Sequence, residues 1–226
     1  MSARHTGLMN SPVLPNPSLR LEQCRGASPQ GCRHALRRDD TLADAMHRTA
    51  DALGWSGYLT DRVTGPIARH QAFAVSVCGC ANGCSRPHIA SLGLVPARSP
   101  AWNAARCDRC LACLAACREH ALVMDKAGLT IDRDRCLRCG DCLKACKVGA
   151  LESEIQGYRV LVGGRLGRRP RLARELPGLY SPQAALEVLR LSLELMMSRT
   201  DQLARFAEAI DAAGPDFWVA LEALGQ

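Results

Sequence analysis

The feature that most constrains this chain is a repeated pattern of eight cysteines between residues 107 and 146. The first copy reads C-D-R-C-L-A-C-L-A-A-C, and the second, 29 positions later, reads C-L-R-C-G-D-C-L-K-A-C. Both copies have the spacing C-x2-C-x2-C-x3-C, and the dipeptide Ala-Leu follows each of them at the same offset. Such internal self-similarity indicates two equivalent structural units, each rich in thiolate ligands.

This spacing resembles that of the bacterial two-cluster ferredoxins. There, three closely spaced cysteines bind one [4Fe-4S] cluster and the fourth binds the other. The resemblance implies two interlocked ligand sets, which are Cys107, Cys110, Cys113 and Cys146 for one cluster, and Cys136, Cys139, Cys142 and Cys117 for the other. The ferredoxins have proline after the fourth cysteine, whereas this chain has Arg118 and Lys147. Proline is not a ligand, so the change leaves ligation intact and adds cations that would raise the cluster potentials.

Structural zinc is the alternative for cysteine runs of this kind. A zinc site takes four ligands, usually as two separated pairs, so the third cysteine of each run would have no role. Two [4Fe-4S] clusters use all eight cysteines, and we adopt that interpretation.

Length, composition and charge limit the other possibilities. A chain of 226 residues allows one ordinary domain with a small insert, or two small domains. No signal-like segment is recognised, and the best apolar stretch, residues 184–197, is interrupted by charges, so we expect a cytoplasmic protein without a membrane span. The net charge of +7 falls to about +3 when each cluster adds about −2. No basic stripe is interleaved with aromatic residues, so nucleic acid is not an expected partner.

A second motif lies upstream, where the predicted buried strand AFAVSV (72–77) runs into C-G-C-A-N-G-C-S-R-P. Residues 75–95 resemble the C-x3-C segment of the sirohaem-dependent sulfite and nitrite reductases. Residues 157–170, GYRVLVGGRLGRRP, resemble the strand and turn of the same family, in the form that has a ferredoxin inserted before that strand. The resemblance covers about residues 20–100 and 152–200.

In that family the cysteines of this segment bind a third [4Fe-4S] cluster next to the haem. The resemblance therefore implies that Cys80 and Cys84 are cluster ligands, that Cys84 bridges to the haem iron, and that Arg86 takes the family's basic position. Cys24 and Cys32 are our favoured choice for the remaining ligands, although they are spaced C-x7-C rather than C-x5-C. The alternative is that both are ordinary buried residues. Cys78 either replaces one of the four or simply packs.

Sirohaem itself carries eight carboxylates, so its pocket needs several arginines or lysines. The candidates are Arg33, Arg37, Arg38, Arg86, Arg165, Arg168 and Arg169. Arg165, Arg168 and Arg169 are the strongest of these, because a glycine-rich turn brings them near one spot. The alternative for each arginine is a solvated surface charge. No catalytic residue is assigned.

We therefore predict an α+β architecture: half of a sirohaem-reductase-type α/β domain with an inserted two-cluster ferredoxin module. The expected divisions are a disordered lead at 1–19, a reductase-like domain at 20–100 and 152–226, and the ferredoxin module at 101–151. Pro96 and Pro100 are expected to mark the start of the insert.

The first functional hypothesis is an oxidoreductase subunit that passes electrons through [4Fe-4S] clusters to a sirohaem-type site for sulfite or nitrite reduction. Reductases of that family have two pseudo-symmetric halves and this chain has one, which implies a second reductase subunit or a redox partner protein. The alternative is a non-catalytic, ferredoxin-like electron carrier with a relic reductase domain.

Overall fold

The structure is a computed structural model that describes residues 19–36, 41–68, 71–199 and 205–225. The strands found there are β1 (Arg20–Gln23), β2 (Ala74–Val77), β3 (Leu92–Trp102), β4 (Leu122–Met124), β5 (Leu129–Ile131), β6 (Leu151–Val162) and β7 (Arg174–Glu175). The helices are α1 (Leu42–Ala52), α2 (Trp55–Arg62), α3 (Ala112–Ala116), α4 (Asp141–Ala145), α5 (Pro182–Met197), α6 (Phe206–Ala213) and α7 (Pro215–Glu222). Within these ranges, none of the helices combines the length and apolar character that crossing a membrane requires.

Five strands form one mixed sheet in the order β1-β2-β3-β6-β7. β1, β2 and β3 run parallel, whereas β6 is antiparallel to both β3 and β7. Parallel neighbours need a crossover, and α1 with α2 supplies the one between β1 and β2. We call this sheet and its helices the sheet domain.

The core of the sheet domain lies between the sheet and helices α1, α2, α5 and α6. Aromatic side chains fill much of it: the rings of Phe73 and Phe206 lie 4.8 Å apart, and Trp55 stacks on Tyr58. The buried hydroxyl of Tyr58 donates to the carbonyl oxygen of Met196 at 2.6 Å, which joins α2 to the end of α5. These contacts join segments that precede β3 to segments that follow β6 in one core.

The cysteine repeats lie in a small unit between the ends of β3 and β6, which also contains α3, α4 and the β4–β5 hairpin. We call this unit the insert. Pro96 and Pro100 do not mark its start, because both lie within β3. Pro96 pairs with Tyr158, and the register shifts between Ser99 and Pro100, where an irregular ladder accommodates a residue without an N–H.

The predicted disordered lead at 1–19 falls almost wholly outside the described residues. Leu19, its last residue, is described and is buried against the core.

Candidate metal centres and cofactor cavity

The two cysteine repeats have the same backbone conformation. Arg109 and Arg138 occupy equivalent positions with φ of 59° and 55°, and Leu111 and Gly140 are equivalent with φ of 61° and 75°. These left-handed residues turn each loop so that its cysteines face a common centre. The repeat seen in the sequence is therefore a repeat in the structure.

The first predicted ligand set lines one small cavity of the insert: Cys107, Cys110, Cys113 and Cys146. Burial raises the pKa of the Cys113 thiol, and negative charge on Cys146 and Cys107 raises it further. The backbone N–H of Ala150 donates to Sγ of Cys146 at 3.1 Å. Cys110 is exposed, so this centre reaches the surface.

The second predicted set lines another small cavity: Cys117, Cys136, Cys139 and Cys142. Burial raises the pKa of the Cys142 thiol to about 12, and the charges of the other three thiolates contribute. The backbone N–H of Ala121 donates to Sγ of Cys117 at 3.3 Å. In contrast to the first set, all four of these cysteines are half-buried or buried.

Both sets have the interlocked composition that two [4Fe-4S] clusters require, with three thiols from one repeat and one from the other. Four thiols around one cavity form a ligand set that a cationic iron core would stabilise as thiolates. Hydrogen bonds to thiolate sulfur also tune cluster potentials. No group of His, Cys, Asp or Glu in the described ranges is spaced to hold a single metal ion. A cubane cluster places each thiolate on a different iron and needs wider spacing.

A third group of thiols forms where the loop after β1 meets the loop after β2. Burial raises the pKa of the Cys80 thiol, and a hydrogen bond from the backbone of Asn82 lowers it. Three neighbouring thiolates raise it further: Cys24, Cys84 and Cys32. The four predicted cysteines therefore lie close enough together for their charges to interact.

Two glycines allow these loops to meet. A Cβ on Gly79 would lie 2.3 Å from the carbonyl carbon of Gly26, so only glycine fits at that contact. The N–H of Gly79 donates to Sγ of Cys24 at 3.1 Å, and its carbonyl oxygen accepts from the N–H of Leu36 at 2.7 Å. The loops that carry the two cysteine pairs are thus joined by backbone hydrogen bonds.

Cys78 is buried, and its Sγ lies 3.1 Å from Oγ of Ser85. Ser85 is itself held twice: its hydroxyl donates to the carbonyl oxygen of Val77 at 3.0 Å, and its carbonyl oxygen accepts from the hydroxyl of Ser76 at 2.7 Å. Because Ser85 directly follows Cys84, this buried network positions the last cysteine of the group.

A cavity of about 590 Å³ begins at the same segment, since Ser85 and Arg86 form part of its wall. Four guanidinium side chains contribute to its lining: Arg20, Arg86, Arg165 and Arg205. Its apolar walls include Trp55, Phe73 and Phe206. Such a cavity suits a molecule with a flat apolar body and anionic edges.

The polar groups of this cavity differ in their partners. Nη2 of Arg86 lies 3.5 Å from a carboxylate oxygen of Glu22, and Nη1 of Arg165 lies 3.2 Å from one of Glu208. The indole N–H of Trp55 is buried and has no hydrogen-bond partner within the described part of the chain. Buried donors are normally satisfied, so Trp55 marks a place where a bound acceptor would fit.

The structure does not gather all of the predicted arginines. Arg168 and Arg169 are exposed and do not line the cavity, although Nε of Arg165 donates to the carbonyl oxygen of Arg169 at 2.9 Å. Sequence reasoning missed Arg20 and Arg205, because no local motif surrounds either residue. Of the remaining candidates, Arg33 is exposed and does not line the cavity, and Arg37 and Arg38 fall outside the described residues.

The second repeat of the insert contacts the sheet domain next to the third thiol group. A Cβ on Gly140 would lie 3.0 Å from Cδ1 of Leu36, the residue whose N–H is bonded to Gly79. At the same contact the N–H of Arg98 donates to the carbonyl oxygen of Arg138 at 2.8 Å. Leu36 therefore lies between the loop of the second thiol set and the loop of the third group.

Residues 106–150 match the family model of the 4Fe-4S dicluster domain. The chain is similar to the coenzyme F420-dependent sulfite reductase of Methanocaldococcus jannaschii, with 40% identity over 96 residues, which is 42% of this chain and 16% of that protein. Its fold is similar to that of dissimilatory sulfite reductase I, with a TM-score of 0.52 and 16% identity over 91% of this chain and 52% of the other. The NirA protein of Mycobacterium tuberculosis is a weaker structural match, with a TM-score of 0.48.

The comparisons thus show a 4Fe-4S dicluster domain within the chain and a fold similar to that of a sulfite reductase. The mixed α/β fold is confirmed, and the dicluster match supports two [4Fe-4S] clusters and an iron–sulfur electron-transfer role. The chain spans about half the length of dissimilatory sulfite reductase I and 16% of the sulfite reductase that it resembles in sequence.

Proposed function

We propose that this chain is the iron–sulfur half of a sirohaem-dependent reductase of sulfite or nitrite. The observation that carries the proposal is the continuity of three features. The third thiol group ends at Cys84, the next residues are held by the buried Ser85 network, and Arg86 then opens the arginine-lined cavity. A cluster that contacts an anionic macrocycle needs its last thiol ligand to lie directly beside a cavity lined by cations.

In this proposal Cys24, Cys32, Cys80 and Cys84 hold a third [4Fe-4S] cluster. The mutual influence of their thiols and the N–H···S bond to Cys24 support that ligand set. The bound cluster supplies one electron at a time beside the cavity. Cys84 would be the cluster ligand nearest to the haem, because the next residue, Ser85, lines the cavity.

The cavity's own residues suit sirohaem. Arg86, Arg165 and Arg205 would pair with its carboxylates, and the buried N–H of Trp55 would donate to one of its acceptors. Arg168 and Arg169 are proposed for carboxylates that extend beyond the cavity, because they belong to the same glycine-rich turn as Arg165. When bound, sirohaem supplies the iron at which sulfite or nitrite accepts six electrons.

The placement of the thiol sets supports a direction for electron flow. Cys110 of the first set is exposed, whereas the cysteines of the second set are half-buried or buried and Gly140, in their loop, packs against Leu36. We therefore propose that the first set meets the external donor and that the second set serves the third group.

A second subunit completes the proposed enzyme. This chain spans 52% of dissimilatory sulfite reductase I, so a protein of that size has room for another half. We propose that the partner supplies the cationic groups that bind the substrate anion and the far wall of the cavity.

The second candidate function is a three-cluster electron carrier without haem. The observation that favours it is the pairing of Arg86 with Glu22 and of Arg165 with Glu208. These carboxylates already neutralise arginines that sirohaem would otherwise engage, as expected of a cavity that no longer binds an anion.

Anaerobic purification followed by iron and acid-labile sulfide analysis and a visible spectrum separates the candidates. The proposal expects about twelve irons together with chlorin-type bands, whereas the carrier expects about twelve irons with only the broad iron–sulfur absorption. Cys84→Ser should reduce the count to about eight and abolish the chlorin bands. About eight irons in the unmodified protein would refute the third cluster.

Cys78→Ala is the matched control, because it removes a thiol from the same segment. It should retain about twelve irons. A loss of four irons in this variant would show that Cys78 is a ligand and that the proposed set is wrong.

A further inference from the structure

The first thiol set lies beside two exposed apolar side chains. Leu111 is 48% exposed and Val148 is 38% exposed, and both belong to the wall of the cavity that contains Cys107, Cys110 and Cys146. Because both side chains lie on one wall beside a redox centre, they offer an apolar patch that a partner protein could cover. Together with the cations Arg109, Lys126 and Lys147, these two residues form what we call the Leu111 face.

The backbone at Leu111 provides an independent observation. Leu111 has φ of 61° and ψ of 7°, a left-handed conformation that is unfavourable for a residue with a β-carbon. The equivalent residue of the second repeat is Gly140, with φ of 75° and ψ of 8°. Leu111 is absent from the apolar core of the insert, so burial does not compensate for the strain. A leucine kept exposed where glycine fits better points to a role in binding.

The charge of the Leu111 face indicates which partner fits. Nη2 of Arg109 donates to the carbonyl oxygen of Lys126 at 3.1 Å, which keeps these two cations adjacent, and Lys147 adjoins Val148. No ion pair involves these three cations in the part of the chain that the structure describes. The nearby carboxylate of Asp108 accepts a hydrogen bond from the backbone of Cys110. With the two clusters of the insert bound, the formal net charge of +7 falls to about +3, which still favours an acidic partner.

We propose that the Leu111 face is the docking surface for an acidic one-electron carrier protein. On each encounter the carrier is oxidised by one electron and the cluster held by Cys107, Cys110, Cys113 and Cys146 is reduced by one, with no bond made or broken. A second copy of this chain is the poorer occupant, because it would bring a like-charged face against this one. The inference rests on the electron-transfer role and is independent of sirohaem.

The test uses the intact, cluster-loaded protein and reduced flavodoxin as an acidic one-electron carrier. Stopped-flow absorbance follows cluster reduction at low and high ionic strength, and dithionite replaces flavodoxin in a parallel series. Leu111→Gly should slow reduction by flavodoxin about tenfold, because an apolar contact at the centre of an interface is lost. The rate of reduction by dithionite and the thermal midpoint should not fall, because glycine suits the left-handed backbone at this position.

Leu172→Gly is the matched control, since Leu172 is 70% exposed and lies in the sheet domain. It should leave both rates unchanged. Lys147→Glu should slow reduction by flavodoxin about tenfold at low ionic strength and less at high ionic strength. Arg48→Glu, an exposed charge reversal on α1, should slow it much less.

Three results would overturn the inference. The first is that the rate with flavodoxin is unchanged in Leu111→Gly, and the second is that it falls no more than the rate with dithionite. The third is that sedimentation shows a dimer that Leu111→Gly dissociates. The last result would assign the face to self-association. The assay measures reduction of the first cluster directly, so its result can be interpreted whether or not sirohaem is found.

Discussion

The two halves of the insert share a ligand spacing and a backbone, yet they have different surroundings. In the second half Gly140 is buried against Leu36 of the sheet domain, whereas in the first half its equivalent, Leu111, is exposed. The equivalent cysteines differ in the same direction: Cys110 is exposed and Cys139 half-buried, and Cys113 is half-buried and Cys142 buried. The cysteine pattern thus specifies two similar metal centres, and the residues between the cysteines decide which centre faces the protein and which faces the solvent.

The equivalent arginines show the same difference. Arg109 donates to Lys126 within the insert. Arg138 instead accepts a backbone hydrogen bond from Arg98 and donates from Nη1 to the carbonyl oxygen of Gly178 at 3.3 Å, and both partners lie in the sheet domain. The two arginines have the same backbone conformation, yet Arg109 stabilises the insert internally and Arg138 attaches the insert to the sheet domain.

The largest expected difference follows from replacing equivalent cysteines. Cys113→Ser and Cys142→Ser should each lose about four irons, since each removes one cluster ligand. Cys142→Ser should also lower the thermal midpoint of the insert further, because Cys142 is buried in its apolar core, whereas Cys113 is only partly buried there. Iron analysis and thermal loss of the remaining cluster absorbance measure both effects. Equal thermal losses in the two variants would contradict the distinction between the halves.

Replacing Gly140 with leucine, the residue at the equivalent position of the first half, should be the next most damaging change. Gly140→Leu should destabilise the protein by about 2–4 kcal/mol, since it combines a strained left-handed leucine with overpacking against Leu36. Anaerobic urea unfolding measures the change. The reciprocal Leu111→Gly should be neutral or stabilising by about 1 kcal/mol, because strain is relieved without a lost core contact. Similar losses in both variants would show that the two positions are not packed differently.

Leu36 tests the attachment from the side of the sheet domain. Leu36→Ala should cost about 2–3 kcal/mol, because a buried side chain is removed from between two loops. The free energy of unfolding in urea reports this, with Leu172→Ala as a control of the same type at an exposed position. A cost no larger than that of the control would mean that the contact contributes nothing to stability.

The smallest difference should come from the arginine pair. Arg138→Ala should cost about 1 kcal/mol through loss of its bond to Gly178, and Arg109→Ala should cost less, because its bond is on an exposed surface of the insert. Paired urea titrations resolve a difference of this size. A larger cost for Arg109 would reverse the assignment of the attached half.

Sequence alone predicts the parts of this site that depend on local spacing. The four cysteines of each run lie within a few residues of one another, and the resemblance of both runs to the two-cluster ferredoxins implied the ligand sets. The sequence also has leucine at 111 and glycine at the equivalent position 140. This difference would have indicated which half is covered by the sheet domain.

The cavity could not be predicted in the same way. Trp55 and Arg205 reach its wall from separate helical segments, and the ion pairs of Glu22 and Glu208 join residues more than 40 positions apart. Arg168 and Arg169 belong to the predicted glycine-rich turn but do not line the cavity. Only the packing of the helices on the sheet decides which arginines meet.

The ladder between β3 and β6 has a consequence for how such a chain is assembled from parts. The ladder continues to the pair Trp102 and Leu151, so the insert is attached to two neighbouring strands whose ends are about 5 Å apart. Any polypeptide with closely spaced termini can be grafted there without changing the register of the sheet. The paired ends of β3 and β6 thus form an attachment point for the insert. Replacing the insert with another redox unit requires only that the new unit leave room for Leu36.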